Sequence, residues 1–452
     1  MDAAHGRSRP RRIRAALAGR AALWVAFAAV HLWLAALNLS GPGQPFGDVT
    51  GVYRVWAENA QHGWLRMGID APWVYPILAF APMTSALAFG AEWYGQTWLA
   101  MVTALDALAF SILLGSGVLS RRRRTAAWWW LAFLLLLGPI ALGRIDAVTV
   151  PFAIVGLLWA AGRPRVAASL LTIATWIKVW PAALVAAMIV ALRRRFEVAT
   201  VAAALSLGIL AVSLLAGAGP NALGFVGEQA GRGLQVEAPL AVGWLWWIVA
   251  GTSEATIAYD RDILTFQVAG PGVETAAALT TPLMLVGVAA VFALGIRAAR
   301  RGAPAGALLP PLALAFTLVL VLANKVGSPQ FTTWLAAPVV LGIALGGARF
   351  LTPAALACAI AALTQAIYPY WYDWLLIAHP GLVLLLTVKV VLLVVLLGWS
   401  LHAVWQAGRV RRRPAPSRGV RPGSDPAVDA ARTSRRNPHA GGVLGRTEWN
   451  GA

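Results

Sequence analysis

Apolar runs of membrane-crossing length constrain this chain more than any other feature. Twelve are visible, at about 21–39, 93–119, 125–142, 147–161, 166–176, 180–192, 198–217, 276–296, 305–323, 333–347, 350–367 and 381–405. A helix crossing hydrocarbon needs roughly 17–25 predominantly apolar residues. Within lipid every backbone N–H and C=O must find an internal partner, so open runs of this kind fold as helices. Only 12% of the 452 residues are charged, against about 25% in a soluble globular domain. The chain therefore lacks the polar side chains to cover a water-facing surface. The expected fold class is an all-α polytopic membrane protein with about 12 transmembrane helices.

Arginine placement sets the expected orientation, because basic residues collect in cytoplasmic loops. Clusters lie at Arg7–Arg20, Arg121–Arg124, Arg163–Arg165, Arg193–Arg195, Arg297–Arg301, Arg349 and beyond residue 405. All of these fall on one side if the twelve runs each cross once. Both termini are then cytoplasmic, with a basic N-terminal tail over 1–20, a transmembrane domain over 21–405 and a disordered tail over 406–452 that is poor in apolar residues. The formal net charge of +19 follows from these clusters, so nucleic-acid binding is not expected. The first outer loop spans 40–92 and a long outer loop spans 218–275. Residues 75–91 are apolar but carry Pro76 and Pro82. Counting them as a span would put Arg121–Arg124 outside, so they are read as an interfacial or re-entrant helix. The run SGPGQPFGD after the first helix offers no small-residue cleavage site, which predicts a retained anchor. A single cysteine, Cys358, excludes an internal disulfide and a cysteine zinc site.

Several runs are too short to cross alone. The stretch 166–192 is broken at Trp176-Ile177-Lys178-Val179-Trp180-Pro181, where a proline interrupts helical hydrogen bonding and a charge at membrane depth is costly. Two short helices meeting at an embedded turn are expected there. Polar residues gather on the outer side: Asp48 and Tyr53 in the first outer loop, Arg144 and Asp146 in the turn GRID, Lys178 in the embedded turn, and Lys325, Ser328 and Gln330 in NKVGSPQFTTW. Charges at membrane depth are functional candidates, and short helices joined by polar turns line cavities rather than lipid. One outer polar cavity holding a carboxylate and several cations suits an anionic, lipid-linked substrate.

Each residue also has a plain structural reading. Asp48 can cap a helix, Arg144 and Asp146 can pair locally, and Lys178 can snorkel to the interface. Asp260-x-Asp262 has a metal-like spacing that more often belongs to a solvated loop. His379 before Pro380 reads as a loop histidine. Asp106 and Lys389 fall inside expected spans, where they either pair with partners or mark span limits drawn in the wrong place. Trp244, Trp246 and Trp247 suit a membrane-interface belt or a sugar-stacking surface. No metal or other cofactor is expected.

Taken in order, these segments resemble glycosyltransferase family 87, polyprenyl-phosphate-sugar-dependent enzymes of the GT-C membrane fold. Asp48 followed by Tyr53 is similar to that family's D-x(n)-Y segment after the first helix. Trp73-Val74-Tyr75-Pro76 resembles its Y-P-P segment, with Ile77 in place of the second proline. Gly143-Arg144-Ile145-Asp146 resembles its G-Q-x-D turn, with Arg for Gln. Ile177-Lys178-Val179-Trp180-Pro181 resembles its I-K-x-x-P segment. Lys325 to Trp334 resembles its K-x-x-S-P-Q-Y-x-x-W segment, with Phe331 for Tyr, and is the most specific of the matches. The 218–275 loop and the tail match nothing in that pattern.

The resemblance implies a GT-C-type fold with interfacial helices in the first outer loop. It implies inverting transfer of mannose, or in some members arabinofuranose, from a polyprenyl phosphate carrier to a glycolipid or glycan acceptor on the outer face. Asp48 would be the general base. Lys178, Lys325 and Arg144 would stabilise the leaving phosphate, while Tyr53, Tyr75, Asp146, Ser328 and Gln330 would orient sugar or phosphate. Membrane lipids are the other expected partners. The rival class is a twelve-span transporter or lipid flippase. Transporters commonly show repeated halves with broken helices at corresponding positions, whereas here the polar turns fall on one face and the halves look dissimilar.

Overall fold

The computed structural model describes residues 8–252, 254–261 and 263–409. Asp262 and almost all of the expected C-terminal tail lie outside the described residues. Helices in chain order are α1 (Ser8–Ser40), α2 (Arg54–Gln61), α3 (Phe80–Ser85), α4 (Tyr94–Leu114), α5 (Arg121–Leu137), α6 (Ile145–Trp159), α7 (Pro164–Ile177), α8 (Ala182–Ala191) and α9 (Arg195–Leu215). They continue with α10 (Gly224–Ala230), α11 (Val242–Val249), α12 (Val273–Arg300), α13 (Ala305–Leu322), α14 (Ala336–Gly346), α15 (Leu351–Gln365), α16 (Tyr372–Leu376) and α17 (Pro380–Ala407). Eight helical segments among the described residues are long and apolar enough to cross a membrane: Gly19–Ser40, Ala91–Leu114, Arg121–Ala141, Arg195–Leu215, Val273–Arg300, Ala305–Leu322, Pro329–Tyr370 and Pro380–Ala407. The protein is a helical polytopic membrane protein.

The remaining apolar helices are short, and local chemistry explains why. The α7 helix ends at Ile177 because Lys178 takes an extended conformation (φ −151°, ψ 131°) before Pro181. At 1.5 Å per residue, α7 and α8 are about 21 and 15 Å long, so neither alone crosses about 30 Å of hydrocarbon. Gly138, at φ 73°, ends α5, and a tight turn through Pro139 leads to α6. At the other end of α5 the Ser120 hydroxyl accepts from the Arg123 amide at 3.3 Å. His379 likewise caps α17, accepting from the Gly381 amide at 3.2 Å. Residues 75–91 hold one 3₁₀ turn, Ile77–Ala79, and the six-residue α3, far too short to cross.

Contacts between loops establish which ends lie together. Arg20 donates to the Gly117 carbonyl, Arg122 donates to the Leu345 carbonyl at 2.7 Å, and Arg165 pairs with Glu197 at 2.9 Å. Arginine-bearing loops far apart in sequence therefore share one end of the bundle. The two charges inside expected spans have buried partners. Asp106 on α4 meets His31 Nε2 on α1 at 3.1 Å, and Lys389 on α17 meets Glu237 at 3.0 Å.

The long loop between α9 and α12 adds one small non-helical element to the otherwise helical fold. It contains an antiparallel hairpin, β1 (Thr256–Asp260) and β2 (Thr265–Ala269), paired Thr256 to Ala269 through Asp260 to Thr265. Asp260 Oδ2 accepts from the Gln267 amide at 2.9 Å across this hairpin, a structural task for one half of the Asp-x-Asp pair. Leu234, Val236, Leu245 and Val268 bury against Leu382, Val383 and Leu386 of α17 in a second apolar cluster. The loop is thus folded down onto the bundle rather than projecting from it.

Candidate active site

The turn Gly143-Arg144-Ile145-Asp146 is the hub of the site. A Cβ on Gly143 would collide with Asn38 Oδ1, so only glycine lets the turn lie this close to α1. Asp146 falls in the first turn of α6, where the helix dipole favours a carboxylate. It is completely buried. Trp334 Nε1 donates to its Oδ1 at 2.7 Å, and Lys178 Nζ lies 3.7 Å from its Oδ2. Trp334 stacks on Trp180 with ring centroids 5.5 Å apart, and Trp180 Nε1 donates to Thr149 Oγ1 at 2.9 Å. A buried carboxylate without a cation would be very unfavourable. Asp146 and Lys178 therefore fix each other, and α6 and the α7–α8 turn with them.

Arg144 and Asp146 do not pair with one another, which corrects the local-pair reading. Arg144 turns the other way. Its Nε lies 3.0 Å from Asp48 Oδ2. It also donates to the carbonyls of Pro45 and Gly143 and, at 2.8 Å, to the Tyr368 hydroxyl. Asp48 begins one turn of wide π-helix, Asp48–Tyr53, whose N-cap position is held by Gly47 rather than by Asp48. The helix-cap reading is thereby excluded. The Asp48 side chain is 44% exposed, in contrast to its buried arginine partner. Lys178 does not snorkel outward. Its ammonium sits 4.5 Å from the Tyr75 ring centre and 5.9 Å from that of Phe331. The Tyr53 and Tyr75 hydroxyls are 3.3 Å apart. Burial first, then neighbouring Tyr75 and Asp48, push the Tyr53 hydroxyl well above its ordinary range, so it is a neutral hydrogen-bonding group at physiological pH.

Beside this network lies a cavity of about 440 Å³. Tyr75, Lys178, Lys325, Ser328 and Gln330 line it, together with Trp180, Phe331 and Trp334. Asp48, Tyr53, Arg144 and Asp146 do not. The nine expected site residues thus divide into a cavity wall and a neighbouring network. Asp146–Lys178 and Tyr53–Tyr75 join the two. Among the described residues no carboxylate belongs to the lining, contrary to the expected cavity that holds one, because Asp48 and Asp146 turn into the neighbouring network; the lining carries three cations, Lys178, Arg232 and Lys325. Its other wall is apolar, with Val226, Met284 and Leu320 among the residues that form it. Met284 and Leu320 belong to membrane-length helices, so the cavity reaches toward the lipid.

Sequence reasoning missed three participants. Arg232 was visible only as one of several charges in an unmatched loop. Tyr368 supports Arg144 from 224 residues away. Gly327 permits close packing, since a Cβ there would strike the backbone of Glu237 and Ala238. His379 has the capping role already described. Trp244 and Trp246 donate to the Pro271 carbonyl and to Thr387 Oγ1, both at 3.0 Å, so their polar edges are occupied within the fold. Among the described residues no three of His, Cys, Asp and Glu gather in a way that would hold a metal ion. In comparisons with protein-family models, curated proteins and solved structures, nothing matches this chain.

Proposed function

We propose that the chain is a GT-C-type membrane glycosyltransferase that transfers mannose, with inversion, from polyprenyl-phosphate-mannose to a glycolipid or glycan acceptor. Its apolar helices would lie in the membrane with both termini cytoplasmic and the cavity open to the outer face, α7 and α8 together entering and turning back at Lys178 rather than each crossing. The observation that carries this reading is the cavity itself, where three cations and, among the described residues, no carboxylate stand beside the polar Ser328 and Gln330 on one side and an apolar wall of membrane-length helices on the other. Such a lining suits a phosphate attached to a long hydrocarbon chain. The donor phosphodiester carries one negative charge, and the departing polyprenyl phosphate carries more. Fixed cations in a low-dielectric site stabilise that gain. Asp48, on the exposed side of the network, would take the proton of the acceptor hydroxyl as it attacks the anomeric carbon. Arg144 would hold that carboxylate in place. Tyr53, Tyr75, Ser328 and Gln330 would orient the sugar and phosphate between them.

The test uses membranes containing wild type or Lys178→Met, given radiolabelled polyprenyl-phosphate-mannose and a lipid extract of the host. A labelled glycolipid from wild type is expected, with about 10²–10³-fold less from the variant if Lys178 stabilises the leaving group. Product from polyprenyl-phosphate-arabinose alone would redirect the assignment to arabinofuranosyl transfer. No product from either donor would favour the transporter class.

Lys325 adds a pH signature. Burial holds its ammonium below the usual lysine range. A lysine is charged below its pKa, so this cation is lost at a lower pH than an exposed lysine would be. Donor affinity is expected to be full at neutral pH and to weaken as pH rises through that lowered value. Lys325→Arg, which stays charged throughout, should flatten the alkaline limb of the KM profile. An unchanged limb would remove Lys325 from donor binding.

A further inference from the structure

At the arginine-bearing end of the bundle, α12 and α17 finish side by side. They touch because residue 408 is glycine, whose Cβ would otherwise approach Ala298 Cα at 2.9 Å. The contact gathers Arg297 and Arg301 from one helix end and Trp405 and Arg409 from the other. The Arg297 guanidinium lies 3.4 Å from the Trp405 ring centre, and that of Arg409 lies 5.3 Å from the same centre. One face of the Arg297 fork is thus held flat by the indole. Its Nη1 is buried and has no hydrogen-bond partner. Among the described residues, no carboxylate lies within ion-pair distance of these arginines. Elsewhere at this end the fold does neutralise its charges, since Arg165 and Arg194 both bind Glu197.

The surfaces leading away from the cluster are apolar and outward-facing. Leu285 and Val286 of α12 and Val395 of α17, roughly 17–21 Å along their helices from Arg297 and Arg409, are exposed. Two lipid-facing helices therefore converge on a set of like charges that nothing in the described chain neutralises. We propose that this junction binds the phosphate of a net-anionic phospholipid, with acyl chains along α12 and α17 and the headgroup against Arg297, Arg301 and Arg409. Planar guanidinium forks match phosphate oxygens two at a time, and an anionic headgroup relieves the mutual repulsion that a zwitterionic one leaves partly in place. The site is separate from the outer cavity and does not rest on the transferase reading.

The test is native mass spectrometry of the purified full-length protein with equal amounts of dioleoylphosphatidylglycerol and dioleoylphosphatidylethanolamine. Wild type should retain phosphatidylglycerol in preference. Arg297→Gln/Arg409→Gln should weaken that binding about tenfold, and Arg409→Gln alone, at an exposed position, should weaken it measurably without risk to the fold. Arg121→Gln/Arg124→Gln removes the same charge from another arginine-rich helix end and should change nothing. Equal loss in both double variants would mean general surface attraction and overturn the site. Equal retention of the two lipids would also overturn it. Glycerol 3-phosphate competing as well as the intact lipid would make it a site for free phosphate instead.

Discussion

Asp48→Asn is expected to lower sugar transfer by about 10²–10⁴-fold, the usual worth of a general base, while leaving the protein folded and inserted. Asparagine keeps the shape of the side chain and can still accept a hydrogen bond. It cannot take the proton of an attacking hydroxyl. The fold has little stake in the carboxylate, which is 44% exposed and caps no helix. Its partner Arg144 retains the Pro45 and Gly143 carbonyls and the Tyr368 hydroxyl as acceptors. The measurement is the initial rate of label transfer in membranes, set beside the elution profile of the detergent-solubilised variant. A purely structural ion pair gives the reverse pattern, with disturbed elution and normal transfer per folded molecule, and that result would remove Asp48 from the chemistry.

Arg144→Gln separates orientation from proton transfer. An intact Asp48 without its guanidinium partner loses its fixed direction but keeps its chemistry. Its defect should therefore be smaller than that of Asp48→Asn. The two lesions together should cost less than their product, because they disable one unit.

The helical frame was legible because hydrophobic length and arginine position are strong signals in a membrane. The break at Lys178 followed from its own sequence, since an extended residue before a proline needs no distant partner. What sequence could not supply were pairings between distant segments. The spacing of Arg144 and Asp146 invites a local bond, yet each reaches away, one to Asp48 and the other to Lys178 and Trp334. The choice depends on how α1, α6 and the 325–335 segment converge, and no local pattern encodes that. Asp106 and Lys389 looked misplaced inside apolar runs until His31 and Glu237 were brought to them. The hairpin in the long loop was hidden for another reason. Its strands are five residues each, and of them only Val268 is buried, beside α11, so no buried alternation marks them in the sequence.

The same loop carries the largest expected stability effect. Lys389→Met should destabilise the protein by about 3–5 kcal/mol, because it strands a buried carboxylate without its cation. Glu237 and Lys389 side chains are 2% and 8% exposed, with 3.0 Å between Oε2 and Nζ. Replacing both, as Glu237→Leu/Lys389→Met, should recover most of the loss, since an apolar pair of similar volume carries no desolvation cost. Thermal unfolding followed through the emission of the 22 tryptophans would measure both variants. A single variant as stable as wild type would mean that the pair is hydrated and does not hold the loop. Activity then tells what the loop is for. Next to this pair, Gly327 lies against the backbone of residues 237–238, and the Gln235 amide donates to the Lys325 carbonyl at 3.0 Å. The segment bearing Lys325, Ser328 and Gln330 is therefore braced from outside by the loop that Lys389 anchors. Lys389 is not part of the cavity lining, so it acts as a positioning residue. Donor KM should rise in the single variant and return toward normal in the double one. A double variant that regains stability but not donor affinity would instead assign the charge itself, rather than the bracing, a part in the site.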